Sequence, residues 1–214
     1  MKNLVFIILA LVSLSSTTVW GNSFSEGQKA FDAGDYERAI SQWQISASDG
    51  NATAATNIAK MFRNGLGVTQ NHQTAIEWFL VGHQLGSAES SYNIAIAYDQ
   101  GMGSIQKNEK IAFSYYHASA KRGHSDAQYN LGLRYARGIG VKPDLTLSYM
   151  WLEIVINSEE FLKQGIIKKS KLNLFTKKDG ELILELIANE ISLKQVNQAK
   201  QLARQCVADD YSNC

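Results

Sequence analysis

The 214 residues contain one proline, Pro143, and two cysteines. With so little proline, few positions can interrupt a helix, and proline-rich linkers are excluded. Charge is also sparse. Asp, Glu, Lys and Arg make up 19% of the chain and nearly cancel, at net +1. That balance excludes a globally basic nucleic-acid binder, and a hydrophobic content of 45% excludes a disordered tail. The usual chemical signatures are missing too. His72, His83, His117 and His124 form no i,i+4 pair and no His-Glu-x-x-His. No serine sits in a Gly-x-Ser-x-Gly elbow, and no Cys-x-x-Cys occurs. Carboxylates such as Glu77 and Asp99 are scattered. These gaps point away from catalysis, and no cofactor or metal is expected.

The N-terminus reads as a leader. Lys2 precedes an apolar run from Leu4 to Leu14, then polar Ser15 to Thr18, then Val19-Trp20-Gly21 with a small residue at the cut. This layout predicts a signal peptide over 1–21, with an uncleaved anchor as the alternative. The apolar run is too short to span a bilayer comfortably. An exported chain meets an oxidising compartment, so the closely spaced Cys206 and Cys214 read as a disulfide pinning the C-terminus onto the preceding helix. A loop that short gains about 2–3 kcal/mol at most.

What the chain does have is a repeat. Ala39, Trp43, Gly50 and Gly65-Leu66-Gly67 return as Ala75, Phe79, Gly86 and Gly101-Met102-Gly103. They return again as Ala112, Tyr116, Gly123 and Gly138-Ile139-Gly140, with a decayed start at Ser148 and Leu152. A period of about 36 residues marks stacked supersecondary units. Asp35, Asn71, Asn108 and Asp144 stand before the first helix of each unit as N-caps, at spacings of 36, 37 and 36. The extra residue falls in Ser104 to Lys107. Gly50, Gly86 and Gly123 close first helices. Second helices carry Ile58-Ala59 with Phe62, Ile94-Ala95 with Tyr98, and Leu131-Gly132 with Tyr135. The Gly-x-Gly segments follow helices rather than strands, so they read as structural punctuation and not as phosphate loops.

The alanine followed by paired aromatics (Ala75-Ile76-Glu77-Trp78-Phe79, Ala112-Phe113-Ser114-Tyr115-Tyr116), the small-residue helix Ala127 to Tyr135 and the Gly-x-Gly-Val turns resemble the Sel1-like repeat family. The resemblance covers about residues 27–157. It implies an all-α fold: an α/α solenoid, a right-handed superhelix of helix pairs related to tetratricopeptide arrays. The ending from Ala199 to Cys214 resembles the helical cap of exported bacterial members. The units fall at about 27–68, 69–104, 105–141 and 142–157, within an array over 22–157, followed by a basic segment and cap over 158–214. Departures are Gln42 where later units have Trp78, Tyr115 and Trp151, and Ser148 in place of alanine.

After Asn157 the period fails. A segment from Glu159 to Gly180 is expected before a second helix at Glu181 to Ile191, with a capping box at Ser192 and Gln195 opening a final helix. Within it Lys163, Lys168, Lys169, Lys171, Lys177 and Lys178 stand among Ile166, Ile167, Leu172, Leu174 and Phe175 without an acid between. Two readings are open: contact with anionic lipid headgroups or an acidic partner, or a helix over the end of the stack with its lysines in solvent.

The family likeness implies a non-catalytic adaptor that docks an unidentified protein or peptide on a concave face lined by first helices. It would act as a monomer in the periplasm or after secretion, without nucleic acid. Trp78, Tyr115 and Trp151 are either packed between helices or form a ladder on that face. Glu77, Ser114 and Met150 before them, with Gln84 and Lys121, are expected in solvent as further contacts. The competing function is an envelope enzyme or a cell-wall- or β-lactam-binding protein, as in the cysteine-rich branch of the family, although no unit here has that branch's cysteine pair. A third reading is a secreted factor acting on a host.

Overall fold

The structure, a computed structural model, describes residues 22–163 and 174–214. Among the described residues every regular element is a helix and none is a strand. In chain order these are α1 (22–32), α2 (Tyr36–Ser48), α3 (Ala52–Asn64), α4 (His72–Gln84), α5 (Ala88–Gln100) and α6 (Glu109–Ala120). Then follow α7 (Ser125–Arg137), α8 (Leu145–Ile156), α9 (Ser158–Lys163), α10 (Leu174–Glu190) and α11 (Leu193–Ala208). They divide into two compact units, one ending at Ser87 and the other beginning at Ala88.

The caps read from sequence are all formed. Asp35 accepts from Arg38 N at 3.1 Å, Asn71 from Thr74 N at 3.1 Å, Asn108 from Ile111 N at 3.1 Å and Asp144 from Leu147 N at 2.9 Å. Each satisfies an otherwise orphaned N–H and contributes about 1 kcal/mol. The turns between units close on a second bond. Asn71 N donates to Phe62 O at 2.9 Å, and Asp144 N donates to Tyr135 O at 2.9 Å, nine residues apart in both cases. Asn108 N donates to Tyr98 O at 2.8 Å across ten residues. The one-residue insertion is therefore absorbed inside the loop, and the bond that orients the next helix is kept.

In the first unit α3 and α4 pack most extensively. Ala39, Trp43, Ala54, Ala55, Ile58 and Met61 form the core, with Phe24, Phe31 and Trp78 at its edge. In the second unit α5 packs on α6, α6 on α7 and α7 on α8. Both α10 and α11 then cover α8. This corrects the reading of Met150 and leaves Trp151 packed between helices, one of the two readings open from sequence. Met150, expected in solvent, is only 3% exposed, and Trp151 is 1% exposed. With neighbours on several sides, α8 has no solvent-facing stripe. Ser148, the departure from alanine, is fully buried, and its hydroxyl donates to Gly132 O at 2.8 Å. The hydroxyl is satisfied, so the close approach survives the change.

The expected break up to Gly180 is also revised. α10 begins at Leu174, and Gly180 is buried inside it rather than ending a loop. A Cβ at Gly180 would stand 2.9 Å from Ile156 Cδ1, so the glycine sets the approach of α10 to α8. Lys163 and Lys178 are exposed, whereas Lys168, Lys169 and Lys171 and the side chain of Lys177 lie outside the described residues.

The C-terminus is held as expected. Ser192 and Gln195 form a capping box on α11. Cys206 and Cys214 are disulfide-bonded with Cα atoms 5.0 Å apart. The bridge closes a turn in which Asp210 and Tyr211 take positive φ, 50° and 63°. Tyr211 N donates to Cys206 O at 2.8 Å, and its ring lies over Gly123. The side chain also hydrogen-bonds Gln128, which ties the closing loop to the α6–α7 turn.

Two glycines of like φ separate backbone strain from crowding. Gly86 has φ 92° and open space where a Cβ would go. Gly140 has φ 74°, and its Cβ would collide with the carbonyl of Glu109 at the start of α6. Gly86→Ala should cost about 1 kcal/mol from φ alone. Gly140→Ala should cost about 3 kcal/mol, because the α7–α8 turn must also leave α6. Urea unfolding midpoints of the two variants check this order.

Candidate functional site

On α6 the fully buried stripe is Ala112, Tyr116, Ser119 and Ala120. The opposite face presents exposed Lys110 and Ser114, with half-buried Ala118 and Lys121. Aromatic side chains flank this strip on both sides. On one side Tyr115 stacks on Tyr98 of α5, with centroids 6.1 Å apart and planes 6° apart. On the other, Phe113 meets Tyr135 of α7 edge to face at 5.4 Å, and His117 meets Trp151 of α8 at 6.3 Å. Phe113 and His117 stack one turn apart at 6.1 Å. Tyr98, Phe113, Tyr115, His117 and Tyr135 are all half-buried, offering ring edges while their bodies are held by packing.

A buried polar group supports the face from beneath. Arg134 on α7 is 5% exposed and lies over the Tyr116 ring, Cζ 4.7 Å from the centroid. It pairs with Asp99 on α5 and hydrogen-bonds the Tyr116 hydroxyl. Burial is the main cause that pushes the Tyr116 phenol far above its ordinary range, so it stays protonated. Tyr92 adds an edge contact to Tyr116 at 5.8 Å and stacks on His124 at 4.4 Å. His124 is itself the N-cap of α7, its Nδ1 accepting from Ala127 N at 3.4 Å. Among the described residues no three His, Cys, Asp or Glu side chains converge as a metal site requires.

Of the residues picked from sequence, Ser114, Tyr115 and Lys121 come together on the α6 face, with Lys121 half-buried rather than free in solvent. Trp151 touches its edge through His117, and Met150 is excluded by burial. In the first unit Glu77 and Gln84 are exposed on α4, and Trp78 is half-buried against the core. Sequence reading missed Phe113, His117, Tyr135 and the Asp99–Arg134 pair. Arg134 carried a signal: it occupies the register held by Met61 and Ala97, where a charge is out of pattern.

The Sel1 repeat family matches residues 52–81, 88–124 and 125–154. The chain carries three Sel1 repeats. Each matched segment pairs a second helix with the following first helix (α3 with α4, α5 with α6, α7 with α8), and those pairs pack most extensively. The units drawn from the caps are offset from this phase by one helix. A Sel1 repeat protein from Oxalobacter formigenes is 29% identical, with TM-score 0.54 over 67% of this chain and 98% of that one. c5321, a protective antigen of uropathogenic Escherichia coli with an SLR fold, is 20% identical, with TM-score 0.55. That match covers 95% of this chain and 48% of c5321, so this Sel1-repeat chain spans about half its length. No curated protein matches. Sel1 repeats typically serve as protein–protein interaction scaffolds and are generally non-enzymatic adaptors.

His117 gives a titratable report on the face. Burial first, and the Lys121 charge second, hold its imidazole below the usual range. A His depressed in the folded state binds fewer protons than when unfolded. It therefore costs stability as pH falls below about 6.5. Lys121→Gln should raise the His117 midpoint yet leave it below an ordinary imidazole, because burial remains. Titration of the His117 ring resonances by NMR reads both.

Proposed function

We propose that this chain is a non-catalytic adaptor of the bacterial envelope that docks a partner protein segment on the first-helix face around Ser114. The half-buried aromatic rim on both sides of that strip carries the reading. Aromatic edges already held by packing lose little side-chain entropy when a partner covers them, which suits them as anchors. The α4 positions Glu77, Trp78 and Gln84 repeat the same register and would serve the same role in their own unit. Export is supported by the leader pattern over 1–21 and by the Cys206–Cys214 bond, which an oxidising compartment maintains.

A photo-crosslinking side chain at Ser114 should give a discrete adduct in the native cell envelope. The double change Tyr115→Ala and Phe113→Ala should lower its yield about tenfold or more while helical circular dichroism is retained. Equal yields from Ser114 and from the exposed Glu181 on α10 would refute the docking face. Turnover of a chromogenic β-lactam above background would favour the lactam-acting alternative. For export, mass spectrometry of the protein recovered from the envelope should find Asn22 at the N-terminus. A retained Met1 would overturn the leader.

A further inference from the structure

One side of α10 carries a strip of exposed apolar surface. The helix spans 17 residues and is buried along Gly180, Leu184 and Ile187, on the side that packs against α8. On the opposite side Leu182 and Leu186, one turn apart, are 59% and 58% exposed. A leucine exposed singly is ordinary, but two on successive turns form a strip. They continue a row at i, i+4, i+8 and i+12 that begins with Lys178 and ends with Glu190, both exposed. Gly180 seats the helix against Ile156, so the row is held from behind by the core.

The charges at the two ends of the row are placed backwards for a lone helix. A helix favours acids near its N-terminus and bases near its C-terminus. α10 has no acid in its first turn and no base in its last. Lys178 lies in its N-terminal part, and Glu190 is its final residue. Asp179, Glu181 and Glu185 flank the row rather than lie on it. Lys178 and Glu190 are each six residues from Leu184, and Leu182 and Leu186 are each two from it. The row therefore runs basic, apolar, apolar, acidic, and is complementary to itself when reversed. Rows at i±4 are also the ridges that interdigitate in the commonest helix packing, at a crossing angle of about −50°.

We propose that the chain pairs with a second copy of itself through α10, antiparallel about a two-fold axis level with Leu184. Leu182 packs on the partner's Leu186, and Leu186 on the partner's Leu182. Lys178 meets the partner's Glu190, and the same contact recurs at the other end, as a two-fold interface requires. Each charge that opposes its own helix dipole then lies beside the complementary end of the partner helix. One helix pair makes a small interface, so the dimer is weak and depends on concentration. It replaces the monomer expected from the family likeness. Paired chains present the α6 face twice and gain avidity for a partner that also repeats. That consequence rests on the docking reading, whereas the pairing itself uses no residue of α6.

Light scattering on protein purified from the envelope should give a mass near one copy at about 1 µM and near two copies at about 200 µM. A photo-crosslink from Glu181, beside the row, should carry a second copy, and its mass separates it from a partner adduct at Ser114. Leu186→Asp, a change at an exposed position with helical circular dichroism retained, should raise the dissociation constant about tenfold or more. Lys178→Glu and Glu190→Lys should each raise it about tenfold, because each sets like charges together at both ends. The double reversal should restore it, since opposite charges meet again. A mass of one copy at every concentration leaves the strip to another partner and overturns the proposal. A dimer untouched by Leu186→Asp, or a double reversal whose two losses add rather than cancel, overturns it as well.

Discussion

Everything in this fold depends on how closely one helix can approach the next, and four positions set that distance. Ala39, Ala75, Ala112 and Ser148 are at most 2% exposed. A larger side chain at any of them would hold the facing helix away and open a void, and a void forfeits contacts on both of its walls. The aromatic one turn along, Trp43, Phe79 or Tyr116, then fills the space that the small residue leaves beside it. Ser148 shows how strict the constraint is. A hydroxyl is tolerated only because Gly132 O accepts from it, and Gly132 has no side chain to block Leu152. The pairing of small and large recurs because neither half works alone.

This dependence explains what could be read from sequence. Caps, small residues and left-handed glycines act within a few residues of themselves, so Asp35, Asn71, Asn108 and Asp144 announce helix starts without tertiary knowledge. The capping box at Ser192 and the pairing of Cys206 with Cys214 are equally local. The burial of Met150 was not legible, because its cover arrives from α10 and α11, far along the chain. Gly180 misled for a related reason. In sequence a glycine marks a turn or a close approach with equal force, and only the position of Ile156 decides which it is. The phase of the repeat was hidden too, since caps mark where helices begin but not which neighbour each packs against most.

The α6 face was half legible. Ser114, Tyr115 and Lys121 follow from helical geometry on one element. Phe113, Tyr135 and Tyr98 become part of it only when α5 and α7 take their places. The aromatic rim is assembled from side chains on four helices, so its geometry is as well defined as the packing between them. That is a sound basis for recognition: a partner meets edges already fixed by the core and need not order them.

The two units treat the same repeat position differently, and the difference bears on what a repeat can become. Trp43 and Tyr116 fill equivalent space, and each buries one hydrogen-bonding group. In the second unit Arg134 answers Tyr116, at the cost of burying a guanidinium that itself needs Asp99 and whose Nη1 has no hydrogen-bond partner among the described residues. A buried charge pair contributes little net stability, since desolvation offsets most of the attraction. What it does contribute is register, because Tyr116, Arg134 and Asp99 lie on three successive helices and are satisfied together in one arrangement. The first unit carries no such network around Trp43. Its indole N–H is buried against Gly27 with no hydrogen-bond partner among the described residues, where the second unit ties the same position into a network. A scaffold built from near-identical parts can thus carry a buried polar network in one unit and a lone buried donor in another, through a few side chains at a single register.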